Sequence, residues 1–378
     1  MKILYFYPEN PVDFSQGNNS RCYQFLEYFK NRAIDIDFVG IKSVKFDEKH
    51  ANQIVQKQLA KKVVLLSEYN RRKRKLHYFL FQSLPNLMGL KCTEFDRTRG
   101  THQKEFQALL HQNTYDIVLI SYAYWATLLT QKALPKNTKF ILDTHDFLTS
   151  QFQKGKRFKL GRFFEKEIEI LQKFDQVLVI SNEEKYVFSQ FISKPVAIAT
   201  HALAANFNKS AEKKYDLLFV GSENSHNVNG INWFFNQVYP ILKTSVRIAI
   251  VGKVVHKVES YSNVTKMAFV ENLEPVYQES QIVICPLLSG TGLKIKVVEA
   301  LSFGLPIVCT ERGTDGLINK THNGCLVSNN PHEFANYITK LMQDAGFYAH
   351  TAAEAKHYFT ENHDIKAVYH QLDLIFKT

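Results

Sequence analysis

The sequence predicts an α/β protein built from two successive doubly wound units, each a parallel sheet with helices on both faces. Short apolar runs alternate with longer amphipathic segments through the first half of the chain, and the same alternation begins again near Asp216. The length of 378 residues also exceeds that of one typical domain. Because open parallel sheets bind ligands at the carboxyl ends of their strands, we expect a cleft between the two units.

The first half opens with a predicted buried strand at residues 3–7, a polar loop at 9–20 and a helix at 21–30, where apolar side chains recur at helical spacing. Further strands are predicted at residues 36–39, 63–66, 117–120, 140–143 and 177–180. The uncharged run 117–131 is shorter than the ~20 residues of a spanning helix. The apolar run after Met1 is too short for a secretory signal. We therefore expect a soluble protein, or one bound only to a membrane surface.

The second half repeats the pattern. Strands are predicted at residues 217–221, 247–251, 281–285 and 306–309. The first of them ends on Gly221, and Gly252 follows the second. A helix is predicted at 231–242, and the polar segment 206–214 is predicted to link the two halves.

The formal net charge of +11 fits three classes of partner: nucleic acid, an anionic membrane surface or a phosphorylated substrate. The aromatic residues lie mostly inside apolar segments and do not alternate with Lys and Arg, as they would in a platform for single-stranded nucleic acid. The five cysteines are scattered and form no CxxC pair, which indicates reduced thiols in a reducing compartment. Neither a zinc-ligand spacing nor a Walker loop occurs.

The segment from Cys285 to Pro306 carries the clearest chemical signal: a strand, a glycine-containing loop, a helix, a glycine and another strand. Gly290 and Gly292 let backbone amides approach a ligand closely, and the following helix offers unpaired N–H groups at a positive dipole end, which suit a diphosphate. Lys294 and Lys296 are predicted in its first turn. A lysine opposes the dipole there, and a bound anion would offset that cost.

Glu299 is predicted about two turns into the same helix, where its carboxylate could accept both hydroxyls of a ribose at ~1.5–3 kcal/mol for each hydrogen bond. The alternative from the local pattern alone is an ordinary strand–loop–helix unit with a solvated Glu299.

This segment resembles the donor-site signature of the retaining glycosyltransferases of family 4, also called group 1, which have the GT-B fold. Three more segments resemble that family in the same order: residues 216–230 the loop that opens the C-terminal domain, 248–253 the second glycine turn, and 269–273 the segment against the base. The resemblance covers residues 216–324 well and the N-terminal half more loosely.

The resemblance implies two Rossmann-like domains that face a cleft. The implied boundaries are residues 1–205 for an N-terminal acceptor domain, 206–214 for a linker, 215–358 for a C-terminal nucleotide-sugar domain, and 359–378 for a last helix that returns to the N-terminal domain.

The resemblance also implies roles for individual residues. The catalytic candidates are His145, Lys294 and Glu299. The donor-binding candidates are Gly17, Gly221, Ser222, Gly252, Lys253, Asn272, Leu273, Gly290, Thr291, Gly292 and Leu293. His145 follows a predicted strand at its carboxyl end and matches a family histidine near the transferred sugar. Gly17 lies in a loop, residues 15–21, that resembles the family's glycine loop; the alternative is a polar surface loop.

The sequence departs from the family pattern at two places. Many members have two glutamates eight positions apart; Glu299 matches the second, but Thr291 occupies the first, and contacts to the donor sugar depend on that position. Gly221-Ser222 stands where many relatives carry an arginine, with a lysine a few residues later. Lys294 and Lys253 are the predicted substitutes for that positive charge.

The predicted function is retaining transfer of a sugar from a nucleotide-sugar donor to a glycan or lipid-linked glycan, in the synthesis of a bacterial surface polysaccharide. The resemblance implies no cofactor and no metal, and nucleic acid is not an expected partner. The basic segment 61–75, from Lys61 to Lys75, and residues 154–162 predict an anionic membrane surface as a partner on the cytoplasmic side; the alternative is a solvated face. The alternatives for the whole chain are a non-catalytic GT-B scaffold of a polysaccharide assembly and a nucleotide-sugar epimerase.

Overall fold

The computed structural model describes residues 1–13, 17–68, 84, 95–129, 134–153, 155, 158–207, 211–242, 245–290 and 292–377. The chain divides into two compact units between Ala199 and Thr200. The predicted boundary after residue 205 is thus six residues later in the chain than the observed division. The described part of the predicted linker packs on the second unit, since the Phe207 ring lies 5.8 Å from that of Phe359, both measured at the centroids.

The first unit is built on a seven-stranded sheet in which every pairing is parallel. Its strands are β1 (Lys2–Phe6), β2 (Asp35–Ile41), β3 (Lys62–Leu66), β4 (Ile117–Ser121), β5 (Lys139–Asp143), β6 (Gln176–Val179) and β7 (Val196–Ile198). They lie in the order β3-β2-β1-β4-β5-β6-β7, so the chain builds outward from β1 in one direction and then in the other. At such a reversal, here between β1 and β4, the carboxyl ends of the strands leave an opening where ligands bind.

Helices and a well-packed core complete the first unit. The helices are α1 (Gly17–Asn31), α2 (Glu48–Gln56), α3 (Gly100–Gln112), α4 (Leu148–Phe152), α5 (Leu160–Leu171) and α6 (Asn182–Phe191). Side chains of β1 alternate between the two faces of the sheet. Leu4 and Phe6 join one apolar cluster, whereas Tyr5 packs edge-on against Phe29 and Phe38 on the other face. The sheet is therefore buried on both sides, as a doubly wound unit requires.

The second unit repeats this plan with six parallel strands. The strands are β8 (Tyr215–Val220), β9 (Ile248–Val251), β10 (Val264–Met267), β11 (Ser280–Cys285), β12 (Ile307–Cys309) and β13 (Cys325–Val327). Their order is β10-β9-β8-β11-β12-β13, which places the reversal between β8 and β11. The loops that follow β8 and β11 at their carboxyl ends are the two glycine-containing segments of the sequence analysis.

The helices of the second unit are α7 (Ser225–Trp233), α8 (Glu274–Gln278), α9 (Ile295–Ser302), α10 (Pro331–Gln343), α11 (Ala345–Asn362) and α12 (Ile365–Phe376). A cluster of buried apolar side chains, among them Phe219, Ile250 and Ile284 of the strands and Phe334 of α10, forms its core. By its contacts α12 belongs to this unit. The expected return of the last helix to the N-terminal domain stays a prediction.

Every predicted strand is present, with ends that differ by at most two residues. Three strands were not predicted: β7, β10 and β13. Each has three or four residues and is the last strand at an edge of its sheet, so each lacks a long apolar run. The predicted helix 231–242 is wrong in its bounds, because α7 begins at Ser225 and gives way to a π-helical turn at Phe234–Val238.

The predicted polar loop 9–20 is also wrong at its end, because α1 begins at Gly17. Asn and Ser favour turns and helix caps in isolation, but here tertiary contacts hold this segment in a helix. Asn19 accepts a 2.6 Å hydrogen bond from the Tyr7 hydroxyl and donates one of 2.6 Å to the carbonyl of Asp13. Of the described helices, none is both long and apolar enough to cross a membrane.

Candidate functional site

The loop after β11 and the start of α9 form the centre of the candidate site in the second unit. Gly290 and Gly292 have φ angles of +106° and +73°, which glycine adopts at little cost. Lys294 occupies the N-cap position of α9 without a side-chain capping hydrogen bond. The sequence analysis predicted Lys294 in the first turn of this helix, but it lies one residue before that turn. The Lys294 side chain therefore does not cap the N–H groups at the start of this helix, an arrangement that suits an anion.

Lys294 is almost completely buried, and its ammonium turns back toward the loop. Its Nζ donates a 2.9 Å hydrogen bond to the carbonyl of Gly292 and lies 3.9 Å from Oδ2 of Asp315. Leu293 packs against Gly316, whose φ is +86° and where an added Cβ would lie 2.7 Å from the Leu293 Cα. The glycine loop is thus held in place by the close packing of Leu293 against the backbone of Gly316. Thr291 lies outside the described residues.

Lys296 connects the helix to the turn after β8. Its Nζ donates a 2.7 Å hydrogen bond to Oδ1 of Asn227 and lies 4.3 Å from the centroid of the Phe219 ring. The Asn227 Nδ2 in turn donates to the carbonyl of Ser222 at 3.0 Å. Burial lowers the pKa of Lys296 to about 8, against the opposite effect of Cys285 and Glu299. Lys296 is therefore one cation next to the Gly221–Ser222 turn.

His226 fixes the glycine loop against the start of α7. Its Nδ1 lies 2.7 Å from the Ser289 Oγ, and its ring packs 3.5 Å from the place where a Cβ on Gly290 would stand. The N-cap of α7 is Asn224, which accepts the N–H of Asn227 at 2.8 Å. The loops after β8 and β11 are therefore held together by the contact of His226 with Ser289 and by that of Lys296 with Asn227.

The Glu299 side chain is in direct contact with Tyr277 of α8. The Tyr277 hydroxyl donates a 2.8 Å hydrogen bond to Oε2 of Glu299, and the Tyr277 ring stacks on that of Phe303 with centroids 5.0 Å apart. Burial raises the pKa of Glu299, and the Tyr277 hydrogen bond and the charge of Lys296 oppose that rise. The alternative of a freely solvated Glu299 is thereby wrong, because the carboxylate is held by a buried tyrosine.

The two glycine turns touch each other. Gly252 has a φ of +100°, and a Cβ on it would lie 2.3 Å from the carbonyl oxygen of Gly221. The Gly221 N–H donates to the carbonyl of Val251 at 2.8 Å, which continues the pairing of β8 with β9. Gly252 is thus required by the close approach of the two turns, whatever else binds there. Lys253, which follows Gly252, is exposed.

Asn272 and Leu273 lie just before the short helix α8. Asn272 is exposed, and its Oδ1 accepts the N–H of Glu274 at 2.9 Å, so its side chain already serves as a turn acceptor. Leu273 is half-buried. Phe269, in the same segment, exposes 84% of its surface. The predicted role of this segment against a base stays a prediction.

His145 belongs to a buried cluster in the first unit, at the carboxyl end of β5. Its φ of +61° is unusual for a residue with a side chain. The imidazole stacks on Tyr122 with centroids 4.2 Å apart, and its Nε2 lies 2.8 Å from Oδ2 of Asp143. Arg21 of α1 contacts the other oxygen, with Nη2 to Oδ1 at 2.6 Å.

Asp143 is the charged centre of that cluster. Burial alone would raise the pKa of its carboxyl, but the Arg21 guanidinium and the His145 imidazole outweigh burial and hold this pKa well below its usual range. Arg21 also donates to the carbonyl of Ala199. Gly17, the first residue of α1, begins the helix that carries Arg21; its predicted contact with the donor stays a prediction.

Across the described ranges, no group of three or more His, Cys, Asp or Glu side chains could hold a metal ion. The cysteines Cys22, Cys285 and Cys309 are buried thiols.

Comparison with known proteins finds a family model that matches most of the second unit. The family model described as Glycosyl transferases group 1 matches residues 214–344, the part that contains β8 to α10. A Klebsiella pneumoniae protein described as an uncharacterized 44.6 kDa protein in the cps region is 22% identical over 396 aligned positions, which cover 97% of this chain and 98% of that protein.

Solved structures match the whole chain at low identity. Sucrose-phosphate synthase from Thermosynechococcus elongatus superposes with a TM-score of 0.73 at 14% identity, covering 100% of this chain and 98% of that one. Anabaena HepE, solved in complex with UDP, gives 0.72 at 13% identity and 100% coverage of both chains. TarM of S. aureus, solved with UDP among its ligands, gives 0.69 at 12% identity and 100% coverage of both. The chain is therefore a glycosyltransferase of the GT-B fold, whose group 1 domain spans residues 214–344.

Proposed function

We propose that this glycosyltransferase moves a sugar, with retention of the anomeric configuration, from a nucleotide-sugar donor bound by the second unit to a glycan or lipid-linked glycan. The observation that carries the proposal is the position of Glu299. Its carboxylate, held by Tyr277, lies on the same helix whose uncapped start carries Lys294 and Lys296.

The chemistry of a nucleotide sugar fits this arrangement. The amides of the glycine loop and the first turn of α9 would bind the diphosphate, and Lys294 and Lys296 would neutralise the charge that develops on it as the glycosidic bond breaks. Glu299 would accept the ribose hydroxyls. Each of these contacts uses a group whose position is set by packing, so little reorganisation is needed when the donor binds.

The comparisons support a uridine nucleotide as the first donor to test. HepE has been solved with UDP and with UDP-glucose, and TarM with UDP. The Klebsiella pneumoniae relative from the cps region supports a role in surface polysaccharide synthesis. We propose that transfer needs no metal ion, since the lysines and amides supply the positive charge, and that His145 approaches the transferred sugar.

We further propose that the protein works in the cytoplasm, at the inner face of the membrane. The basic segment 61–75 that motivates this proposal is described only up to residue 68; there, Lys61 lies 2.5 Å from Oδ2 of Asp35 in an exposed ion pair. An exposed pair of this kind contributes little to stability, so the lysine is free to exchange Asp35 for a lipid phosphate at small cost.

The test is donor binding and turnover with a panel of UDP-, GDP-, dTDP- and CMP-sugars, measured by thermal shift and saturation-transfer NMR. Glu299→Gln keeps an acceptor for the Tyr277 hydroxyl but removes the charge. We expect one donor class to bind and its affinity to fall about tenfold or more in this variant. Glu259→Gln, an exposed site in the same unit, is the matched control.

Two results would count against the proposal. Well-folded wild-type protein that binds no nucleotide sugar would contradict it, and so would equal affinities for wild type and Glu299→Gln. Retention is read separately, from the anomeric proton of the first product formed, and an inverted product would overturn only that part.

A further inference from the structure

The first turns of α7 pack directly against the glycine loop that follows β11. Gly230 of this helix allows the contact, since a Cβ on it would lie 2.7 Å from the carbonyl oxygen of Pro286. One turn earlier on the same face, the ring of His226 lies 3.5 Å from where a Cβ on Gly290 would stand. The imidazole thus forms one side of the loop that would bind the diphosphate of the proposed donor.

The two nitrogens of this imidazole have different surroundings. Nδ1 lies 2.7 Å from the Ser289 Oγ. Among the described residues Nε2 has no hydrogen-bond partner, and it is open to solvent in a side chain that is otherwise half-buried. A ring that is held through one nitrogen presents the other in a fixed direction. His226 therefore offers an accessible polar atom beside the loop.

The contact with Ser289 determines what Nε2 can do. A serine hydroxyl can donate its proton to Nδ1, which leaves the proton of a neutral imidazole on Nε2. An anion beside Nε2 selects this arrangement over the one in which Nδ1 donates. The acidic residue nearest to His226 in the chain, Glu223, is paired with Lys257 at 3.1 Å instead. Nε2 is therefore a donor for which the described residues supply no acceptor.

The backbone of the glycine loop adds donors next to this ring. Across the described residues, the N–H groups of Ser289 and Gly290 donate to no acceptor. Gly290 has a φ of +106° and no side chain, so the imidazole can lie against its backbone. Successive free N–H groups beside a ring donor suit an anion with several oxygens, such as a diphosphate.

The lysines of the same segment are held by oxygens of the protein. The Nζ of Lys294 donates to the Gly292 carbonyl at 2.9 Å, and that of Lys296 donates to Oδ1 of Asn227 at 2.7 Å. An ammonium acts on a phosphate as a point charge, whereas an imidazole N–H donates along one direction. The free nitrogen of His226 therefore supplies what the two lysines do not, a hydrogen-bond donor of fixed direction.

We infer that His226 is a further residue of the donor site, where its Nε2 donates a hydrogen bond to the diphosphate while Ser289 holds the ring. The inference rests on the proposed function in taking the ligand as a nucleotide sugar. The released nucleoside diphosphate carries more negative charge than the sugar-bound form, so the same hydrogen bond is stronger to it. His226 thereby favours departure of the diphosphate as well as binding of the donor.

The test compares two substitutions that each keep one half of the imidazole. In His226→Gln the side-chain amide reaches the place of Nε2 and gives up the Ser289 contact. In His226→Asn the amide reaches the place of Nδ1 and gives up the Nε2 donor. Affinities of the full chain for UDP and for uridine are measured by saturation-transfer NMR titration. We expect His226→Asn to bind UDP about tenfold or more weakly and uridine unchanged, and His226→Gln to keep most of the UDP affinity.

The Cε1–H signals of the histidines provide a direct readout of the contact. The signal that His226→Asn removes belongs to His226, and it should shift when UDP is added to the wild type but not when uridine is added. His350→Gln, at an exposed histidine of α11, is the matched control and should keep both affinities. Amide NMR spectra check that each variant is folded.

The opposite order of the two variants would overturn the inference. UDP bound tightly by His226→Asn and weakly by His226→Gln would leave His226 only the task of holding the loop, and equal losses for UDP and uridine would exclude a contact with the diphosphate. Wild-type protein that binds no UDP would remove the inference together with the proposed uridine donor. UDP binding that depends on Glu299 but not on His226 would remove the inference alone.

Discussion

The hydroxyl of Tyr277 donates a 2.8 Å hydrogen bond to Oε2 of Glu299, and the Tyr277 ring lies parallel to that of Phe303 at 5.0 Å, with an interplanar angle of 9°. The Glu299 carboxylate is thus held by Tyr277 of α8, and the Tyr277 ring is in turn held in place by stacking on Phe303 at the end of α9. Because the packing fixes the tyrosine and the tyrosine fixes the glutamate, the acceptor for a ribose is positioned before any donor arrives.

Tyr277→Phe removes this hydrogen bond and keeps the stacked ring. We expect donor affinity to fall several-fold and the free energy of unfolding to fall by about 1 kcal/mol, the usual net value of one hydrogen bond. Calorimetric titration with UDP and urea unfolding measure the two effects. Tyr348→Phe is the matched control, because its hydroxyl donates to the Gln281 carbonyl at 3.1 Å. That variant should lose stability and keep its donor affinity; a loss of affinity in both variants would contradict the positioning role.

Lys296 predicts a pH dependence of donor binding. Burial lowers its pKa to about 8, so it loses its positive charge as the pH rises through that value. A diphosphate is attracted to the charged form, and we expect its affinity to fall by up to about tenfold from pH 7 to pH 9, the limit set by one proton on a group with this pKa. The bound anion favours protonation and moves the midpoint upward.

The same titration with Lys296→Met isolates the effect. Its affinity should be lower at pH 7 and nearly constant to pH 9, whereas exposed Lys253→Met should keep the wild-type pH profile. The other charged or titratable groups that act on Lys296 are Cys285, Glu299 and Lys294, and burial raises the pKa of the Cys285 thiol. A Lys296→Met profile that still falls between pH 7 and pH 9 would assign the dependence to another group.

Gly252 predicts a large loss of stability on substitution. Its φ is +100° and a Cβ would lie 2.3 Å from the Gly221 carbonyl oxygen, so Gly252→Ala adds both strain and a backbone collision. We expect the free energy of unfolding of the second unit to fall by ~3 kcal/mol or more. Trp233 of that unit reports it by fluorescence, in a Trp125→Phe background that removes the signal of the first unit.

Gly161→Ala is the control for that change. Because Gly161 lies in the first unit, its unfolding is followed by Trp125 fluorescence in a Trp233→Phe background. Gly161 lies in α5, and nothing stands within 4 Å of where its Cβ would be. Alanine costs less backbone entropy than glycine in a helix, so this variant should be unchanged or more stable by up to ~1 kcal/mol. A Gly252→Ala variant that loses no more stability than Gly161→Ala would show that the turn at Gly252 relaxes and that the collision is not decisive.

The sheets could be predicted from the sequence because each long strand is an apolar run with polar ends. What the pattern could not provide are contacts between distant residues. Arg21 and Asp143, 122 positions apart, meet because β1 and β5 lie on either side of β4 in the sheet. The parallel crossovers that produce such neighbours leave no local signal in either segment.

The candidate site shows the same division. Gly290, Gly292 and Glu299 could be predicted because they belong to one continuous strand–loop–helix segment. Tyr277 and His226 could not, since their partners Glu299 and Ser289 lie 22 and 63 positions away. Lys296 was noticed as a cation of the first turn, but its contact with Asn227, 69 positions away, depends on the adjacency of β8 and β11.

Substitutions at His145 measure the backbone strain at this position, next to Asp143. A φ of +61° costs a residue with a Cβ ~1–2 kcal/mol relative to glycine. His145→Gly should therefore be more stable than His145→Ala by about 1 kcal/mol, after allowance for the greater entropy of glycine in the unfolded chain. Both variants lose the contact with Asp143, so their difference isolates the strain, and urea unfolding measures it. If the imidazole acts on the transferred sugar, both should lose transfer activity and keep UDP binding.

His363 predicts that the second unit loses stability in acid. Its ring is fully buried, with Nδ1 3.1 Å from the carbonyl of His201 and 3.2 Å from the Thr200 Oγ1, and burial lowers its pKa to about 4 against the effect of that carbonyl. Between pH 6.5 and 4 the unfolded chain binds a proton that the folded chain does not, so stability falls as the pH falls through this window.

The difference between the two pKa values corresponds to about 3 kcal/mol. Urea unfolding at pH 7.0, 6.0, 5.0 and 4.5, followed by Trp233 fluorescence in the Trp125→Phe background, measures it. Carboxyl groups titrate in the same range, so the comparison with His363→Gln is decisive: that variant should be less stable at pH 7, because it loses a buried hydrogen bond, yet have a shallower slope toward acid. His370→Gln, at an exposed histidine of α12, should keep the wild-type slope. A slope unchanged in His363→Gln would mean that the buried ring takes up its proton without unfolding the unit, and that the space around its Nε2 admits a partner for the charge.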